Sequence, residues 1–512
     1  MRGENLPIIF GLKLRQFREA KGYGLKELSE RVGLSPSYLN EIENGKKYPK
    51  ADKILHLSEA LEVPYDDLVS VKLSEHYRPL EAFLDSPIIQ ALPLKLIGLS
   101  PRDVIELVTR APQEVGALLN TLAEIANSYG MHVEHFFHAM LRSYQETHDN
   151  YFDEIEVAAA GFRKAHRWKS GTPVPLEALA KVLGEQFGVL IDETSLERHP
   201  ELAGFRSVWV EGAPEQLLMN PRLSERQKAF QIAREIGYRD LKLKDRGITS
   251  SRAEVHSFEQ VLNDFKASYY AGALLIDREA LVHDLKALFG RAHWDGDAFL
   301  AIMQRFGVTP EMFLYRITQL APKEFGLRHQ HFVRVTHDPA GGSFHVTKQF
   351  NMAGLFMPTG TEWNEHYCRR WLPVSLLGDL AAQQKQGAGK GPVMAAQRAH
   401  FVNGQRDYFL ISLARPLTLS PGTNASVTLG FLMDEDFRKV VRFAEDRAVP
   451  QAQVNETCQR CGLSLQECAV RAAPRSSFDH KLALEARNRA LEKLLAEAKG
   501  LAAGDAGGGA RA

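Results

Sequence analysis

Apolar residues recur at helical spacing through residues 8–72, in five short segments separated by glycines. Ser35 followed by Pro36 has the pattern of a helix N-cap with proline at the first helical position. Short helices in quick succession, with a tight turn between the second and the third, are typical of a helix-turn-helix fold. The pattern therefore predicts an all-α helix-turn-helix domain over residues 1–73.

Beyond residue 73 the pattern mixes helices and strands. Short strands are predicted in GVLIDE, FRSVWVEG and QLLMN, and Ser224 with Gln227 forms a capping box before a long helix. Two hairpins are predicted, at 331–350 and 407–433. The fold class is therefore multidomain α+β. The predicted ranges are a helical linker or dimerisation region over 74–130, a helical core with a small sheet over 131–285, a C-terminal α+β domain over 286–478, and a helix with a disordered tail over 479–512.

Composition narrows the function classes. Lys plus Arg and Asp plus Glu both number 63, so the formal net charge is zero, which excludes binding to nucleic acid through bulk charge alone. No apolar run approaches the roughly 20 residues of a membrane helix, and the first residues lack the pattern of a signal peptide. We expect a cytoplasmic protein with no membrane partner.

A helix that reads the major groove presents short or amide side chains to base edges, with cations beside them for phosphates. The helix that starts at Ser35 carries such residues, and a basic segment follows it. The candidate DNA-binding residues are Ser35, Ser37, Tyr38, Asn40, Lys46, Lys47 and Tyr48, with Lys50 at the end of the segment. The alternative is the solvated helix end of an ordinary small bundle.

Three segments of this region, GLKLRQFREAKG, LKELSERVGLSPSYLNEIENGKKYPK and LSEALEVPYDDL, together resemble the XRE family of helix-turn-helix domains. The resemblance implies an ion pair between Arg18 and Glu43. Leu25 and Lys26 open the second helix where the family often has Ser/Thr-Gln, which implies that Lys26 contacts phosphate instead. It also implies a double-stranded DNA operator, bound by a homodimer.

The predicted helix around residues 224–241 contains Ala233-Arg234-Glu235-Ile236-Gly237-Tyr238. With FKASYYAGALLID downstream, this segment resembles the ImmA/IrrE metallopeptidase-like domain, whose pattern is A-H-E-x-G-H. Arg234 and Tyr238 stand where the two zinc-binding histidines belong, and Lys266 where an acidic third ligand is expected. An arginine cannot ligate zinc, so we expect a degenerate domain without catalytic residues, whose emptied cleft is available to another ligand.

The four cysteines of the chain are Cys368, Cys458, Cys461 and Cys468. Two thiolates in Cys-x-x-Cys spacing, with a third after six further residues, can clamp one metal centre. Cys368 could supply a fourth ligand. The spacing leaves zinc and an iron–sulfur cluster open, with free thiols as the alternative.

The combination of these segments with HFVRVTHDPAGGSFHVTKQFN, CRRW and the cysteine segment resembles the short-chain fatty acyl transcriptional regulators, which include regulators of propionate and acetate/glyoxylate genes. The resemblance implies a short-chain acyl-CoA effector and favours a 4Fe-4S cluster over zinc.

An acyl-CoA needs cations for its phosphates and an apolar or aromatic surface for the rest. The candidate ligand-binding residues are Lys348, Arg369, Arg370 and Trp371, with Arg334 on the strand opposite Lys348. The sequence leaves two rival functions open. One is a metallopeptidase that cleaves a repressor in a stress response, and the other is a phage-type repressor without a small-molecule ligand.

Overall fold

A computed structural model describes residues 6–70, 133–249, 257–355, 365–387 and 392–507. The predicted linker over 74–130 lies outside these ranges. The chain divides into two compact units, residues 1–144 with 254–261, and residues 145–253 with 262–512. None of the helices in the described ranges is both long enough and apolar enough to cross a membrane.

The N-terminal helices form the predicted helix-turn-helix domain. They are α1 (Leu6–Ala20), α2 (Leu25–Val32), α3 (Pro36–Glu43), α4 (Ala51–Leu61) and α5 (Tyr65–Val69). Leu14, Leu39 and Leu57 belong to one buried core that joins α1, α3 and α4. Helix α1 approaches α3 so closely that a Cβ atom on Gly11 would lie 2.2 Å from the carbonyl oxygen of Ile42. Glycine at this position is therefore a condition for the packing of α3.

The second unit contains most of the remaining helices and a small sheet. The helices up to the main sheet are α6 (Val133–Thr147), α7 (Asp153–Ala165), α8 (Leu176–Phe187), α9 (Glu225–Asp240), α10 (Phe258–Leu275), α11 (Arg278–Phe289), α12 (Gly296–Phe306) and α13 (Pro310–Phe325). Most of α6 and the first residues of α10 belong to the first unit. Strands β1 (Leu190–Asp192), β2 (Ser207–Val210) and β3 (Gln216–Met219) form a sheet of order β1-β3-β2. The backbone N–H of Ser224 donates to Gln227 Oε1 at 3.0 Å, which confirms the capping box that opens α9.

A six-stranded sheet follows, of order β5-β4-β8-β7-β6-β9. Its strands are β4 (Gln330–Asp338), β5 (Ser343–Asn351), β6 (Val393–Phe401), β7 (Arg406–Pro416), β8 (Asn424–Leu432) and β9 (Gln451–Val454). Both predicted hairpins are confirmed, as β4–β5 and β7–β8. Val333 and Val335 pack in one core with helix α14 (Leu372–Lys385), whereas Phe332 contacts Tyr315 of α13. Because side chains alternate along a strand, α13 and α14 cover opposite faces.

Two further helices complete the described chain, α15 (Glu435–Val440) and α16 (Ser476–Gly507). The prediction of a disordered tail from residue 504 is wrong for residues 504–507, because α16 continues through them. The predicted multidomain α+β class, with a helix-turn-helix domain, a helical core with a small sheet and a C-terminal sheet, is confirmed.

Candidate functional site

A bidentate ion pair links the last turn of α1 to the end of α3 in the helix-turn-helix domain. Arg18 donates from Nε to Glu43 Oε1 at 2.6 Å and from Nη2 to Glu43 Oε2 at 3.0 Å. Its Nη1 donates to the carbonyl of Tyr23 at 2.8 Å. The hydrogen bond to Glu43 raises the pKa of Arg18. The pairing implied by the XRE resemblance is therefore confirmed, and it orients α3.

The candidate DNA-binding residues occupy the surface of this domain. Exposed among them are Lys26, Ser35, Ser37, Asn40, Lys46, Lys47 and Tyr48. Tyr38 is half-buried, with Lys53 Nζ 4.3 Å from its ring centroid. Lys47 pairs with Glu41 of α3 at 2.7 Å, so the basic segment folds back against the helix it follows. An exposed pair of this kind contributes little stability, and a phosphate can take over Lys47 at low cost.

Two of these side chains already have a role within the domain. Ser35 Oγ accepts from the backbone N–H of Tyr38 at 3.2 Å and caps α3, as predicted. Asn40 Oδ1 accepts from Asn44 Nδ2 at 2.8 Å, which orients the Asn40 amide. The Nδ2 group of Asn40 makes no hydrogen bond with a described residue and can donate to a base edge.

An ion pair occupies the position in the peptidase-like region where the family resemblance places the metal. Arg234, 3% exposed, donates from Nη2 to Asp264 Oδ1 at 2.6 Å, and Tyr238 OH donates to the same oxygen at 2.9 Å. The prediction that Lys266 takes the third-ligand position is wrong, because Asp264, half a helical turn earlier, faces Arg234 and Tyr238. Burial alone would lower the pKa of Arg234, but Asp264 and its neighbours raise it above the ordinary value.

Glu235, the residue that would activate water in a peptidase, is 2% exposed and held by two arginines. Arg246 donates to its two oxygens at 2.7 and 2.8 Å, and Arg239 donates to Oε2 at 3.2 Å. The Arg246 guanidinium lies 4.1 Å from the ring centroid of Tyr238 and 4.4 Å from that of Trp209. Arg234, Glu235 and Tyr238 are thus buried and bonded to neighbouring side chains, so these three residues do not line an open cleft.

The four cysteines are free and buried, and backbone hydrogen bonds join the segment of Cys368 to that of Cys458 at the edge of the six-stranded sheet. The N–H of Cys368 donates to the carbonyl of Glu456 at 3.2 Å, and that of Cys458 donates to the carbonyl of His366 at 2.7 Å. Cys461 and Cys468 share a small buried cluster with Leu463. Tertiary contact thus joins the segment of Cys368 to that of Cys458, 90 residues later in the sequence.

Hydrogen-bond donors lie around the buried thiols. The N–H of Ala472 donates to Cys458 Sγ at 3.3 Å. Trp371 Nε1 and Asn455 Nδ2 are buried donors without an acceptor among the described residues, and the backbones of both lie beside the Cys368 thiol. Inorganic sulfide would supply such acceptors. Within the described ranges, no three His, Cys, Asp or Glu side chains converge as ligands of a single metal ion, so their placement favours neither zinc nor an iron–sulfur cluster.

The candidate ligand residues divide between the two faces of the sheet. Lys348 Nζ lies 3.4 Å from Glu311 of α13 and 4.0 Å from the Tyr315 ring centroid, and Arg334 lies 3.8 Å from Glu311. Arg369 stacks 4.4 Å above the ring of Phe344, which packs in the core on the α14 side. The prediction of one site that includes Lys348 and Arg369 is therefore wrong.

Arg370 and Trp371 have structural contacts. Arg370 Nη2 donates to the carbonyl of Glu467, beside the cysteine segment. Trp371 is 2% exposed and belongs to the core under α14. Its ring has no open face on which a ligand could stack, so its assignment as a ligand surface is corrected. Sequence reasoning missed Glu311 and Asp264, whose partners are distant in sequence and leave no local signal.

Comparison with known proteins supports two of the predicted domains. Residues 11–74 match the family described as "Helix-turn-helix domain", and residues 185–318 match "IrrE N-terminal-like domain". The predicted combination of an XRE-type helix-turn-helix domain with an ImmA/IrrE-like domain is therefore confirmed. The uncharacterized HTH-type transcriptional regulator YazB of Bacillus subtilis is 37% identical over 60 residues, which are 12% of this chain and 87% of that protein. Through residues 11–74, the chain belongs to the helix-turn-helix family of transcriptional regulators.

A longer similarity extends into the second unit. The HTH-type transcriptional regulator RamB of Mycobacterium tuberculosis is 23% identical over 335 residues, which cover 60% of this chain. The chain spans 65% of the length of that relative. A solved structure of a Mycobacterium tuberculosis transcriptional regulator aligns with 65% of this chain and 92% of its own, at 22% identity and a TM-score of 0.44.

Proposed function

We propose that the protein regulates transcription by binding a double-stranded DNA operator as a homodimer, and that a short-chain acyl-CoA controls this binding. The observation that carries the proposal is the exposed start of α3, held in place by Arg18 and Glu43 and flanked by Lys46 and Lys47. The neutral net charge means that affinity comes from local placement of these groups and from pairing of two domains.

The effector acts by binding one arrangement of the dimer better than the other. Two recognition helices must lie about 34 Å apart to enter successive major grooves, so a modest change in their spacing alters operator affinity. The similarity to RamB, named a transcriptional regulator, supports the regulatory role. The acyl-CoA follows from the resemblance in the sequence to the short-chain fatty acyl regulators.

We further propose that Cys368, Cys458, Cys461 and Cys468 hold a 4Fe-4S cluster, with structural zinc as the alternative. The buried thiols, the amide donor of Ala472 and the unpaired donors of Trp371 and Asn455 support this proposal. When bound, such a cluster would supply one-electron redox chemistry, with Cys368 holding it before α14 and Cys458, Cys461 and Cys468 holding it from the segment after β9. The chain itself contributes burial, which keeps water from the sulfurs.

The peptidase-like region has no catalytic role in this proposal. Arg234 and Tyr238 stand in the histidine positions and bond to Asp264, while Arg246 and Arg239 neutralise Glu235. No peptide hydrolysis is expected from this site, because arginine and tyrosine side chains replace the zinc-binding histidines and Glu235 is not free to act as a general base.

The test of DNA binding uses fragments selected from genomic DNA and fluorescence anisotropy. We expect Lys46→Ala to lower affinity on every bound fragment and to reduce the slope of log K against log salt by about one. Lys181→Ala, which removes an exposed lysine of α8, is the matched control and should leave binding unchanged. Unaltered binding by Lys46→Ala would contradict the assigned surface.

The test of sensing adds acetyl-, propionyl- or butyryl-CoA to the same assay. Operator affinity that does not respond to any of them removes the effector from the proposal and leaves the DNA-binding role.

Anaerobic purification with an absorption spectrum and metal analysis tests the cluster. A colourless protein with stoichiometric zinc would overturn the iron–sulfur assignment, and Cys461→Ser should abolish the metal in either case.

A further inference from the structure

A small open pocket lies in the second unit, at the junction of the two sheets. It encloses about 110 Å³ between the segment that leads into β2, the first turn of α13, and strands β4, β7 and β8. Its charged lining residues are Arg206, Arg334, Arg415 and Glu311, which come from four different elements. Only the tertiary fold brings them together.

The charges of this pocket do not balance. Glu311 faces both Arg334, at 3.8 Å, and Lys348, at 3.4 Å. The guanidinium groups of Arg206 and Arg415 make no hydrogen bond or ion pair with any residue in the described part of the chain, although their backbones are hydrogen-bonded. Four cations therefore surround one carboxylate in a half-buried cavity.

The charged groups of this pocket shift one another's pKa values. Burial alone would raise the pKa of Glu311, but Arg334, Lys348 and Arg206 hold it well below its ordinary range. Burial lowers the pKa of Arg206 and of Arg415; Glu311 opposes this shift, and the nearby Arg334 adds to it. A cluster of like charges away from bulk water is unfavourable unless an anion enters it.

The rest of the lining also suits an oxyanion. The pocket meets the N-terminus of α13, a helix of 16 residues, where the helix dipole favours negative charge. Gln227, Thr418 and Ser420 add side chains that can donate hydrogen bonds. The arginine guanidinium matches a phosphate in geometry, because it offers parallel donors to two oxygens.

We propose that this arginine pocket, formed by Arg206, Arg334 and Arg415 around Glu311, binds the dianionic phosphate of a small organic phosphate. The pocket has room for a phosphate group but not for a whole coenzyme, so the remainder of the molecule lies outside it. The proposal rests on the proposed function only for the identity of that molecule. For an acyl-CoA effector, the group available is the 3′-phosphate of the CoA moiety.

The first experiment measures the thermal midpoint of the full-length protein in inorganic phosphate, against chloride at equal ionic strength. We expect phosphate to stabilise the protein by mass action and Arg415→Gln to weaken the apparent affinity about tenfold or more. Arg438→Gln, which removes an exposed arginine of α15 that pairs with Glu445, is the matched control and should bind as the native chain does. Equal stabilisation of native and Arg415→Gln protein overturns the proposal.

Glu311→Gln gives a test in the opposite direction. Removing the carboxylate takes away the competitor for Arg334 and Lys348, so this variant should bind phosphate several-fold more tightly. A merely structural role for Glu311 predicts destabilisation without tighter binding, and that result would overturn the proposal. Because the readout is a gain of affinity, a partial loss of folding cannot imitate it.

A second experiment separates this proposal from the proposed function. CoA and dephospho-CoA, which lacks the 3′-phosphate, compete with phosphate in the same assay. Preference for CoA that disappears in Arg415→Gln assigns the 3′-phosphate to the pocket. Acyl-CoA control of operator affinity that persists unchanged in Arg415→Gln overturns the pocket assignment and leaves the proposed function standing. If the protein binds phosphate through Arg415 but its operator affinity does not respond to acyl-CoA, the pocket assignment stands and the acyl-CoA effector is overturned.

Discussion

The guanidinium of Arg234 lies 2.6 Å from the carboxylate of Asp264, and Tyr238 bonds to the same oxygen at 2.9 Å. These three side chains meet where the resemblance to the metallopeptidases places a zinc ion. The permanently charged guanidinium of Arg234 supplies a positive charge where the metal would lie, and it donates a hydrogen bond to the Asp264 carboxylate. The peptidase-like fold can therefore be kept without a zinc ion and without peptidase activity.

This relationship predicts that a metal site can be restored. Arg234→His with Tyr238→His places two imidazoles one helical turn apart, opposite Asp264. We expect the double variant to bind about one more zinc per chain than the native protein. Metal analysis after dialysis measures the difference.

The control for this prediction adds Asp264→Asn to the double variant, which should weaken the extra site because an amide is a poorer zinc ligand than a carboxylate. If the double variant gains no zinc, these residues do not occupy the former ligand positions.

The approach of Gly11 to Ile42 predicts a loss of both stability and DNA binding in Gly11→Ala. The added Cβ would lie 2.2 Å from a backbone oxygen, so α1 or α3 must move. We expect a loss of about 1–3 kcal/mol in the stability of this domain, measured by hydrogen exchange of its helix amides, and weaker operator binding.

Gly24→Ala is the comparison for this effect. A Cβ on Gly24 meets nothing within 4 Å, and its φ of −73° suits alanine. Its expected cost is about 0.5 kcal/mol, from the poorer N-cap of α2. Similar losses in the two variants would contradict the packing explanation.

The buried pair of Arg316 and Glu156 predicts a large effect on the stability of the second unit. Arg316 donates to the two Glu156 oxygens at 2.5 and 2.7 Å, and both side chains are almost fully buried. Arg316→Met leaves a buried carboxylate without its partner and should cost about 3–5 kcal/mol in urea unfolding. The double variant with Glu156→Leu should recover much of this loss, and failure to recover it would contradict the pairing as its cause.

The same pair predicts a dependence on pH. Burial alone would raise the pKa of Glu156, but Arg316 lowers it below the ordinary value. The stabilisation is therefore present above about pH 4.3, the unfolded value, and is lost as the pH falls through the lowered pKa. Glu156→Gln should lose less stability than the native protein between pH 5 and pH 3, measured by urea unfolding at each pH.

His331 predicts a second pH effect, in a different range. It is fully buried, neither ring nitrogen has a partner among the described residues, and burial lowers its pKa to about 3. The unfolded chain takes up the proton first, so stability present above about pH 6.5 declines as the pH falls towards 3. At pH 5.5 the expected loss is about 1 kcal/mol relative to pH 7.5.

His331→Leu should remove this loss, and His283→Asn, at an exposed histidine, should not. Urea unfolding at the two pH values measures the difference. An unchanged pH dependence in His331→Leu would show that the buried ring is not the titrating group.

Local patterns in the sequence predicted the elements of the fold well. The five N-terminal helices, the N-cap at Ser35, the capping box at Ser224 and both hairpins depend on neighbouring residues, and all are confirmed. The pairing of Arg18 with Glu43 came from a family resemblance, because 25 residues separate the two. The register of Lys266 failed, since a spacing along one helix does not tell which turn faces another.

The sequence also could not show that the candidate ligand residues lie on two different faces of the six-stranded sheet. A β-bulge after Arg334 shifts the pairing of β4 and β5. Phe344 then packs on the α14 side and Lys348 on the α13 side. Alternation counted along a strand fails wherever one residue is inserted.

The sequence by itself determined the helix-turn-helix domain, the loss of the zinc-binding histidines and the number of cysteines, because each follows from residue types at short spacing. Only the tertiary structure decided which residues meet across the chain. It paired Arg234 with Asp264, closed Glu235 between two arginines, brought Cys368 to the later cysteines and assembled Arg206, Arg334 and Arg415 around Glu311. These contacts depend on packing between distant segments, and such packing leaves no periodic signal in the chain.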